Sequence, residues 1–156
     1  MADPVTFRRA GRDDLAAIVA LLADDVLGAE REVSGFARYE VAFDEIDRDP
    51  NHLLVVGDRD GEVVACLQAT LLPCLTHGGR RRAQFEGVRV SSRLRGEGIG
   101  AALLAWSVDW ARRNGCGLVQ LTTDKRRPDA RAFYEAAGFV ASHEGMKLAI
   151  EPTDDG

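Results

Sequence analysis

A short run of glycines beside two arginines is the part of the sequence best suited to chemistry. Residues 93–100 read RLRGEGIG, with glycine at every second position from Gly96 to Gly100. Glycine lets the backbone approach a ligand closely and adopt positive φ, and a helix amino terminus presents unpaired N–H groups with partial positive charge. Because an alanine- and leucine-rich helical pattern follows, and because Arg93 and Arg95 add guanidinium groups, the stretch predicts a binding site for a phosphate-bearing anion.

Two well-known phosphate motifs do not match this stretch. A P-loop requires Lys followed by Ser or Thr after the last glycine, whereas Ala101 and Ala102 stand there. The dinucleotide fingerprint has the spacing G-x-G-x-x-G, whereas this sequence has G-x-G-x-G. Asp124 follows the next apolar strand, where a ribose-binding acid would lie, so a nucleotide-binding α/β protein stays open as an alternative.

The elements around the glycines predict a mixed α/β fold in the order β-α-α-β-β-β-α-β-α-β. Hairpin-linked strands in the first half indicate antiparallel pairing, and the later strand–helix–strand unit indicates one parallel crossover. We expect one domain over residues 1–151, a single mixed sheet with helices on both faces, and a flexible tail over 152–156. The predicted strands cover residues 5–10, 52–72 (two strands around a turn at 58–61), 81–91, 117–123 and 140–150; the predicted helices cover 12–25, 36–49, 98–115 and 128–139.

Composition narrows the class of protein. The formal net charge of −5 argues against a nucleic-acid partner, because binding to phosphates along a strand requires a basic field. No apolar run has the length of a membrane span, and residues 1–14 lack the basic-then-apolar layout of a secretory signal. The odd number of cysteines, in apolar surroundings, predicts reduced thiols in a cytoplasmic protein, and no Cys/His spacing predicts a metal site. The three cysteines are Cys66, Cys74 and Cys116.

Three segments together resemble the GNAT superfamily of N-acetyltransferases, which use acetyl-coenzyme A. Residues 93–98 (RLRGEG) fit its signature Q/R-x-x-G-x-G/A, residues 130–139 (ARAFYEAAGF) resemble its helix that carries FY and ends in GF, and residues 7–18 (FRRAGRDDLAAI) resemble its first strand and helix. The resemblance covers nearly the whole chain in the right order.

The resemblance implies that the fourth and fifth strands splay apart and that the pantetheine arm pairs with the fourth strand. Coenzyme-binding residues carried over in this way form two groups, one for pantetheine and one for the pyrophosphate. The first group is Val88, Arg89 and Val90, and the second is Arg93, Arg95, Gly96, Glu97, Gly98, Ile99, Gly100 and Ala101. Many members of the family also have an asparagine near the coenzyme, but none occurs between residues 115 and 134, so that role stays unassigned. Dimers are common in the family, so a homodimer is a further expectation.

Acetyl transfer to an amine requires a base for the ammonium proton, a donor for the oxyanion and a proton for the leaving thiolate. Glu86, on the fourth strand, is the candidate base, because an apolar setting beside Phe85 and Val88 would strengthen it. Tyr134 is the candidate acid, since the resemblance places the tyrosine of this helix facing the coenzyme sulfur. The oxyanion donor would be a backbone N–H near Val90. The alternatives are a solvated strand glutamate and a packing aromatic residue.

The predicted function is direct transfer from acetyl-CoA to a primary amine of a small molecule or peptide in a ternary complex, with no metal. The main alternative is a module that binds acetyl-CoA without catalysis. An acetyl-cysteine route is less attractive, because a nucleophilic cysteine needs a nearby base or a lowered pKa and the sequence favours core or loop packing for the cysteines. Acceptor sites of the family are built mainly from the first two helices, the loop after the third strand and the C-terminal strands. Acidic residues of these segments would suit a cationic acceptor, although solvated helix faces explain them more simply. They are Asp24, Asp25, Glu30, Glu32, Asp44 and Glu45.

Overall fold

The computed structural model describes residues 3–24, 29 and 35–152, which divide into two compact units, Met1–Leu121 and Thr122–Gly156. Among its described residues, the first unit contains five strands and three helices of eight or more residues. The strands are β1 (Thr6–Arg9), β2 (His52–Arg59), β3 (Glu62–Leu72), β4 (Arg82–Val90) and β5 (Leu118–Leu121). The helices of this unit are α1 (Leu15–Leu22), α2 (Phe36–Arg48) and α3 (Ile99–Arg113), and the second unit contains α4 (Pro128–Ala136).

The strands form one mixed sheet in the order β1-β2-β3-β4-β5. The first three neighbouring pairs are antiparallel, and β5 runs parallel to β4 after the crossover through α3. A short turn explains the antiparallel pairing of β2 with β3: Gly61 in this turn has a φ of 81° and donates its N–H to Asp58 Oδ1 at 2.8 Å. The mixed sheet with one parallel pair confirms the predicted fold class.

Helices cover both faces of the sheet. On one face, α1 and α2 bury a cluster of side chains against β2 and β3. On the other face, α3 packs against β3 and β4, and its Trp106 contacts Phe7 of β1 with ring centroids 6.3 Å apart. Because side chains of a strand alternate between faces, strands buried on both sides are continuously apolar, as β2 is from Leu53 to Val56. The cluster on the α1 and α2 face contains Ala10, Leu15, Ile18, Leu21, Phe43, Leu54, Val56 and Cys66.

One arginine joins the edge strand to α1 and to the β2–β3 turn. Arg8 contacts Asp14 from Nη1 at 2.8 Å and Asp58 from Nη2 at 2.9 Å. Both carboxylates accept hydrogen bonds from its guanidinium, which lowers the pKa of Asp14 and of Asp58. Asp14 also accepts the N–H of Gly11 at 2.7 Å, so the same carboxylate caps the chain as it enters α1.

The second unit differs from the prediction at its end. Residues 140–150 were expected to form the last strand of the order β-α-α-β-β-β-α-β-α-β, but the structure assigns no strand to them. Val140, Met146, Leu148 and Ile150 are exposed. The period-two alternation of Met146, Leu148 and Ile150 predicts a strand, but a strand forms only where its backbone finds a partner edge. All but Pro152 of the expected tail lies outside the described residues. None of the described helices is long and apolar enough to cross a membrane.

Candidate active site

The pairing between β4 and β5 ends halfway along β4. Arg82 to Phe85 pair with Leu118 to Leu121, whereas β4 continues to Val90. Past Phe85, and within the described part of the chain, the β4 backbone is therefore unpaired on its β5 side. Such an edge offers free N–H and C=O groups to an extended ligand, as an added strand would use them. Val88, Arg89 and Val90 lie on this open stretch.

A β-bulge lies in the same stretch, on the β3 side. Cys66 pairs with Arg89 and Gln68 pairs with Glu86, so Leu67 faces both Gly87 and Val88. Gly87 has a φ of 59°, and a Cβ there would lie 3.3 Å from Leu22 Cδ2 of α1. Both the backbone and the neighbouring helix therefore favour glycine at this position. The bulge changes the direction of the β4 amides where the pantetheine group was expected.

The glycine loop forms an open cradle at the start of α3. Gly96 has a φ of 83° and Gly98 one of 81°, and a Cβ built at either position meets nothing within 4 Å. Ile99 is buried and anchors the first turn of the helix. The N–H groups of Ile99, Gly100 and Ala101 belong to that turn, where an α-helix has no internal partner for them. Space, positive φ and free donors together fit a diphosphate.

Side chains distant in sequence hold this loop in place. Arg59 Nη1 at the end of β2 contacts Glu97 Oε2 at 3.3 Å, and Arg93 Nη2 forms an ion pair with Glu62 at the start of β3. Asp24 Oδ2, just after α1, accepts the Ser92 N–H at 3.0 Å. No local sequence pattern signals that Arg59, Glu62 and Asp24 support the loop, because 31 to 68 residues separate each of them from its partner.

The predicted arginines occupy different environments. Arg93 is exposed and paired with Glu62, and Arg95 is exposed in the loop. Arg89 is half-buried, and its Nη1 donates to the carbonyl oxygen of Val88 at 2.9 Å. Arg93 and Arg95 therefore lie on the loop that would face a diphosphate, whereas Arg89 lies on the open strand.

Glu86 lies on the open half of β4, but the apolar setting expected for it is absent. Its side chain is exposed, whereas Phe85 is only 1% exposed and lies on the opposite face of the sheet. Alternation explains this correction, because neighbours in a strand point to opposite sides. Gln68, which pairs with Glu86, lines a cleft beside α2. The carboxylate thus lies in a polar environment near the end of the β4–β5 pairing.

Tyr134 lies on α4 in the second unit. Its half-buried ring contacts Phe133 at 5.2 Å and Phe139 at 5.8 Å between centroids. The Phe139 N–H donates to the Tyr134 carbonyl oxygen at 3.0 Å, and Gly138 has a φ of 96°, which ends the helix as the FYEAAGF pattern predicts. The aromatic contacts hold the tyrosine side chain within this unit.

Neither Cys66 nor Cys116 resembles an activated nucleophile. Burial raises the pKa of the Cys66 thiol to about 12, and it raises the pKa of Cys116 as well. Cys66 Sγ contacts the Gly87 carbonyl oxygen at 3.5 Å, and Cys74 Sγ accepts a hydrogen bond from Arg82 Nε at 3.1 Å. A nucleophilic cysteine requires a lowered pKa or an adjacent base. The described residues also contain no group of three or more Cys, His, Asp or Glu arranged for a metal ion.

A cleft of about 750 Å³ lies between α2 and the beginning of β2. His52 is part of its wall, with Nδ1 3.1 Å from Thr70 Oγ1 and Nε2 3.5 Å from Asp49 Oδ2. Of the acidic residues considered for a cationic acceptor, Glu45 lines this cleft, and Asp44 is paired with Arg12. Asp25, Glu30 and Glu32 lie outside the described residues. The cleft is lined by Ala42, Glu45, Ile46, Arg48, Asp49, Pro50, His52 and Gln68.

Asp124, the residue that kept a nucleotide-binding alternative open, has a local role. Its carboxylate accepts the Arg126 backbone N–H at 2.9 Å and pairs with the Arg126 guanidinium at 2.9 Å. The Arg127 N–H donates to its carbonyl oxygen at 2.9 Å. These contacts shape the turn before α4, which explains the acid without a ribose.

A mixed sheet with an open fourth strand, followed by a glycine-rich loop and a helix, is the arrangement of a class of acyl-transfer enzymes. The family model of the acetyltransferase (GNAT) family matches residues 16–139. The chain belongs to this family and is an N-acetyltransferase, as the resemblance predicted. The family uses acetyl-CoA as co-substrate.

Three relatives show the extent of the similarity. An aminoalkylphosphonate N-acetyltransferase from Salmonella typhimurium is 31% identical over 143 residues, which are 92% of this chain and 90% of that protein. A crystal structure described as a transcriptional regulator from Bacillus halodurans C-125 is 49% identical with a TM-score of 0.91, covering 94% of this chain and 100% of that one. A putative acetyltransferase from Agrobacterium tumefaciens is 28% identical with a TM-score of 0.81, covering 93% and 99%.

Proposed function

We propose that this enzyme transfers the acetyl group of acetyl-CoA to a primary amine of a small molecule or peptide by direct attack in a ternary complex. The observation that supports this most strongly is the end of the β4–β5 pairing at Phe85, immediately before the bulge and the glycine loop. An extended pantetheine arm pairs with Val88 to Val90, and the diphosphate binds the amides between Arg95 and Ala101. Arg93 and Arg95 add charge-assisted contacts.

The reaction needs no covalent enzyme intermediate. The neutral amine attacks the thioester carbonyl carbon, and a C–N bond forms while the carbonyl becomes an oxyanion. The attacking nitrogen then gives up a proton, the oxyanion collapses, the C–S bond breaks, and the thiolate of coenzyme A leaves and takes up a proton. A backbone N–H near Val90 donates to the oxyanion. The pKa of about 12 for Cys66 disfavours the alternative route through an acetylated thiol.

Glu86 and Tyr134 are assigned the two proton transfers. Glu86 accepts the proton of the acceptor ammonium, directly or through water, because its exposed carboxylate is on the open half of β4. Tyr134 donates its phenolic proton to the departing thiolate.

The acceptor range includes aminoalkylphosphonates. This part of the proposal depends on the Salmonella relative, whose name states that substrate and which aligns with 92% of the chain. The loop that binds the coenzyme and the surface that binds the acceptor are distinct, so membership of the family alone does not set the acceptor. A panel of amines is therefore the appropriate test.

Two measurements test the proposed function separately. Isothermal calorimetry should detect CoA and acetyl-CoA binding to the folded protein, and a thiol-release assay should detect CoA formed with amino acids, aminoalkylphosphonates, polyamines, aminoglycosides and peptide amino termini. Binding together with turnover of at least one amine supports the proposal. Binding without turnover of any amine would identify a non-catalytic acetyl-CoA-binding module, and the absence of binding at millimolar concentration would contradict the coenzyme site itself.

A further inference from the structure

A row of polar side chains crosses the middle of the sheet on the face that carries α2. Arg82, Gln84 and Glu86 of β4 belong to this row, since their intervening neighbours Ala83 and Phe85 are 0% and 1% exposed on the opposite face. Arg82 and Gln84 are half-buried, and Glu86 is exposed. Polar side chains at successive same-face positions contrast with the apolar core on the other side.

Contacts between strands confirm that these side chains share one face. Gln84 pairs with Gln120 of β5, whose Nε2 donates to Gln84 Oε1 at 3.1 Å. Arg82 Nη1 donates to Gln120 Oε1, also at 3.1 Å. On the other side, Glu86 pairs with Gln68 of β3, which lines the cleft beside α2. The result is a polar surface across three strands, which we call the β4 floor (Gln68, Arg82, Gln84, Glu86 and Gln120).

Opposite charges stand at the two ends of the β4 row, with Arg82 at the start of the strand and Glu86 at its middle. Arg82 is held by neutral partners: besides Gln120 it donates to Cys74 Sγ at 3.1 Å and to Thr76 Oγ1 at 3.2 Å. Among the described residues, neither Arg82 nor Glu86 forms an ion pair. A guanidinium has five N–H donors, so Arg82 retains donors for an anion. A guanidinium that is held in place and not neutralised by a protein partner favours an anionic ligand, and the exposed carboxylate of Glu86 suits a cationic group.

We propose that the β4 floor binds the acceptor, and that the acceptor is a short primary amine carrying an anionic group such as a phosphonate or carboxylate. Its ammonium lies at Glu86 and its anionic group at Arg82, above Gln84. The α-carbons of Arg82 and Glu86 are about 13 Å apart along the strand. The two side chains together with a two- or three-carbon acceptor bridge this distance. This inference rests on the proposed function and specifies its acceptor.

Matched acceptors test the charge pattern in the wild-type enzyme. With saturating acetyl-CoA, kcat/KM is measured for 2-aminoethylphosphonate, for β-alanine and for propylamine, which has a similar length and no anion. We expect the two zwitterions to exceed propylamine by about ten- to a hundredfold, the range of a charge-assisted hydrogen bond. Equal values for all three would overturn the inference while leaving acetyl transfer to amines intact.

The variant Gln84→Glu locates the anion site. It retains an acceptor oxygen for Gln120 and adds a carboxylate beside Arg82, so the ratio of kcat/KM for either zwitterion to that for propylamine should fall towards one. Arg112→Gln, an exposed arginine of α3, is the matched control. A melting temperature confirms folding. A preference for zwitterions that persists in Gln84→Glu would exclude Arg82 as the anion site. If the wild-type enzyme binds CoA but acetylates none of the amines, the proposed function is contradicted as well.

Discussion

Arg59 at the end of β2 and Glu97 in the glycine loop form an ion pair with 3.3 Å between Nη1 and Oε2, although they are 38 residues apart in sequence. A second ion pair joins Glu62, on the other side of the same hairpin turn, to Arg93. The β2–β3 hairpin therefore contacts the loop at two points. We infer that the hairpin positions the loop before the coenzyme arrives. We also infer that Arg93 exchanges the Glu62 carboxylate for the diphosphate when the coenzyme binds.

Removing the carboxylate of Glu62 is expected to strengthen coenzyme binding. In Glu62→Gln, Arg93 no longer has an anionic protein partner, so the dissociation constant for CoA should fall by up to about fivefold, the range of an exposed ion pair. Arg93→Gln should weaken binding instead. Calorimetric titrations at low and high salt measure both, and the advantage of Glu62→Gln should shrink as salt screens the charges. Asp109→Asn removes another exposed partner of arginine on α3 and is the control; unchanged or weaker binding by Glu62→Gln would refute the exchange.

Gly98→Ala tests whether Gly98 is needed only for its positive φ or also to leave space for the diphosphate. Gly98 and the turn residue Gly61 both have a φ of 81°, and a Cβ at either position meets no neighbouring atom within 4 Å. Each alanine should therefore cost about 1 kcal/mol of unfolding free energy from backbone strain alone. Only Gly98→Ala places a methyl group in the predicted diphosphate site, so only this variant should lose CoA affinity. Equal affinities of the two variants, measured by calorimetry beside denaturant melts, would remove Gly98 from the site.

Acid should reduce the stability that Arg8 contributes through Asp14. The pKa of Asp14 is lowered in the folded protein, so the folded state binds fewer protons than the unfolded state. Its contribution is complete above the unfolded value of about 3.9 and is lost as the pH falls through the folded value. The difference in melting temperature between wild type and Asp14→Asn should be largest at pH 6 to 7 and should shrink below about pH 4. A difference that stays constant over this range, with Asp13→Asn as the comparison, would contradict the pairing.

Local patterns predicted the fold class and the glycine-rich turn before α3 well, because both depend on residues close together in the chain. The Asp58–Gly61 turn, the crossover helix and the alternating glycines each follow from short-range backbone preferences. The hairpin contacts to the loop depend on β2 and β3 folding beside α3, and no linear spacing signals them. The bulge at Gly87 also depends on tertiary structure. The glycine is evident in the sequence, but the pairing of two β4 residues, Gly87 and Val88, with Leu67 depends on the register of β3.

Two predictions were wrong for related reasons. Phe85 was taken as an apolar neighbour of Glu86, but adjacent residues of a strand lie on opposite faces. Met146, Leu148 and Ile150 alternate as a strand would, but the structure assigns none over residues 140–150. Both errors concern what lies beside a segment: the faces of Phe85 and Glu86 follow from strand alternation, whereas a strand over residues 140–150 depends on a partner edge in three dimensions.

Glu86→Gln is expected to lower turnover mainly at low pH. Below its own pKa the acceptor amine arrives protonated, so loss of a base matters most there, whereas alkaline solution supplies neutral amine without help. The CoA dissociation constant should stay unchanged, because the diphosphate contacts lie on the loop and not on Glu86. The measurement is kcat from pH 6 to 9 with one primary amine, and Glu135→Gln, an exposed glutamate of α4, is the control. A profile identical to wild type at every pH would exclude Glu86 as the base.

Tyr134→Phe is expected to reduce turnover by about ten- to a hundredfold, the usual contribution of a general acid. The phenylalanine preserves the ring contacts with Phe133 and Phe139, so stability should change little. When the acetyl donor is a thioester of a more acidic thiol, the thiolate leaves without needing a proton. With this substrate the variant should recover most of the lost rate. Tyr39→Phe, at the chain's other tyrosine, is the matched control and should behave as wild type. A loss of equal size with both thioesters would mean that the hydroxyl group supports the local structure and does not donate a proton to the leaving group.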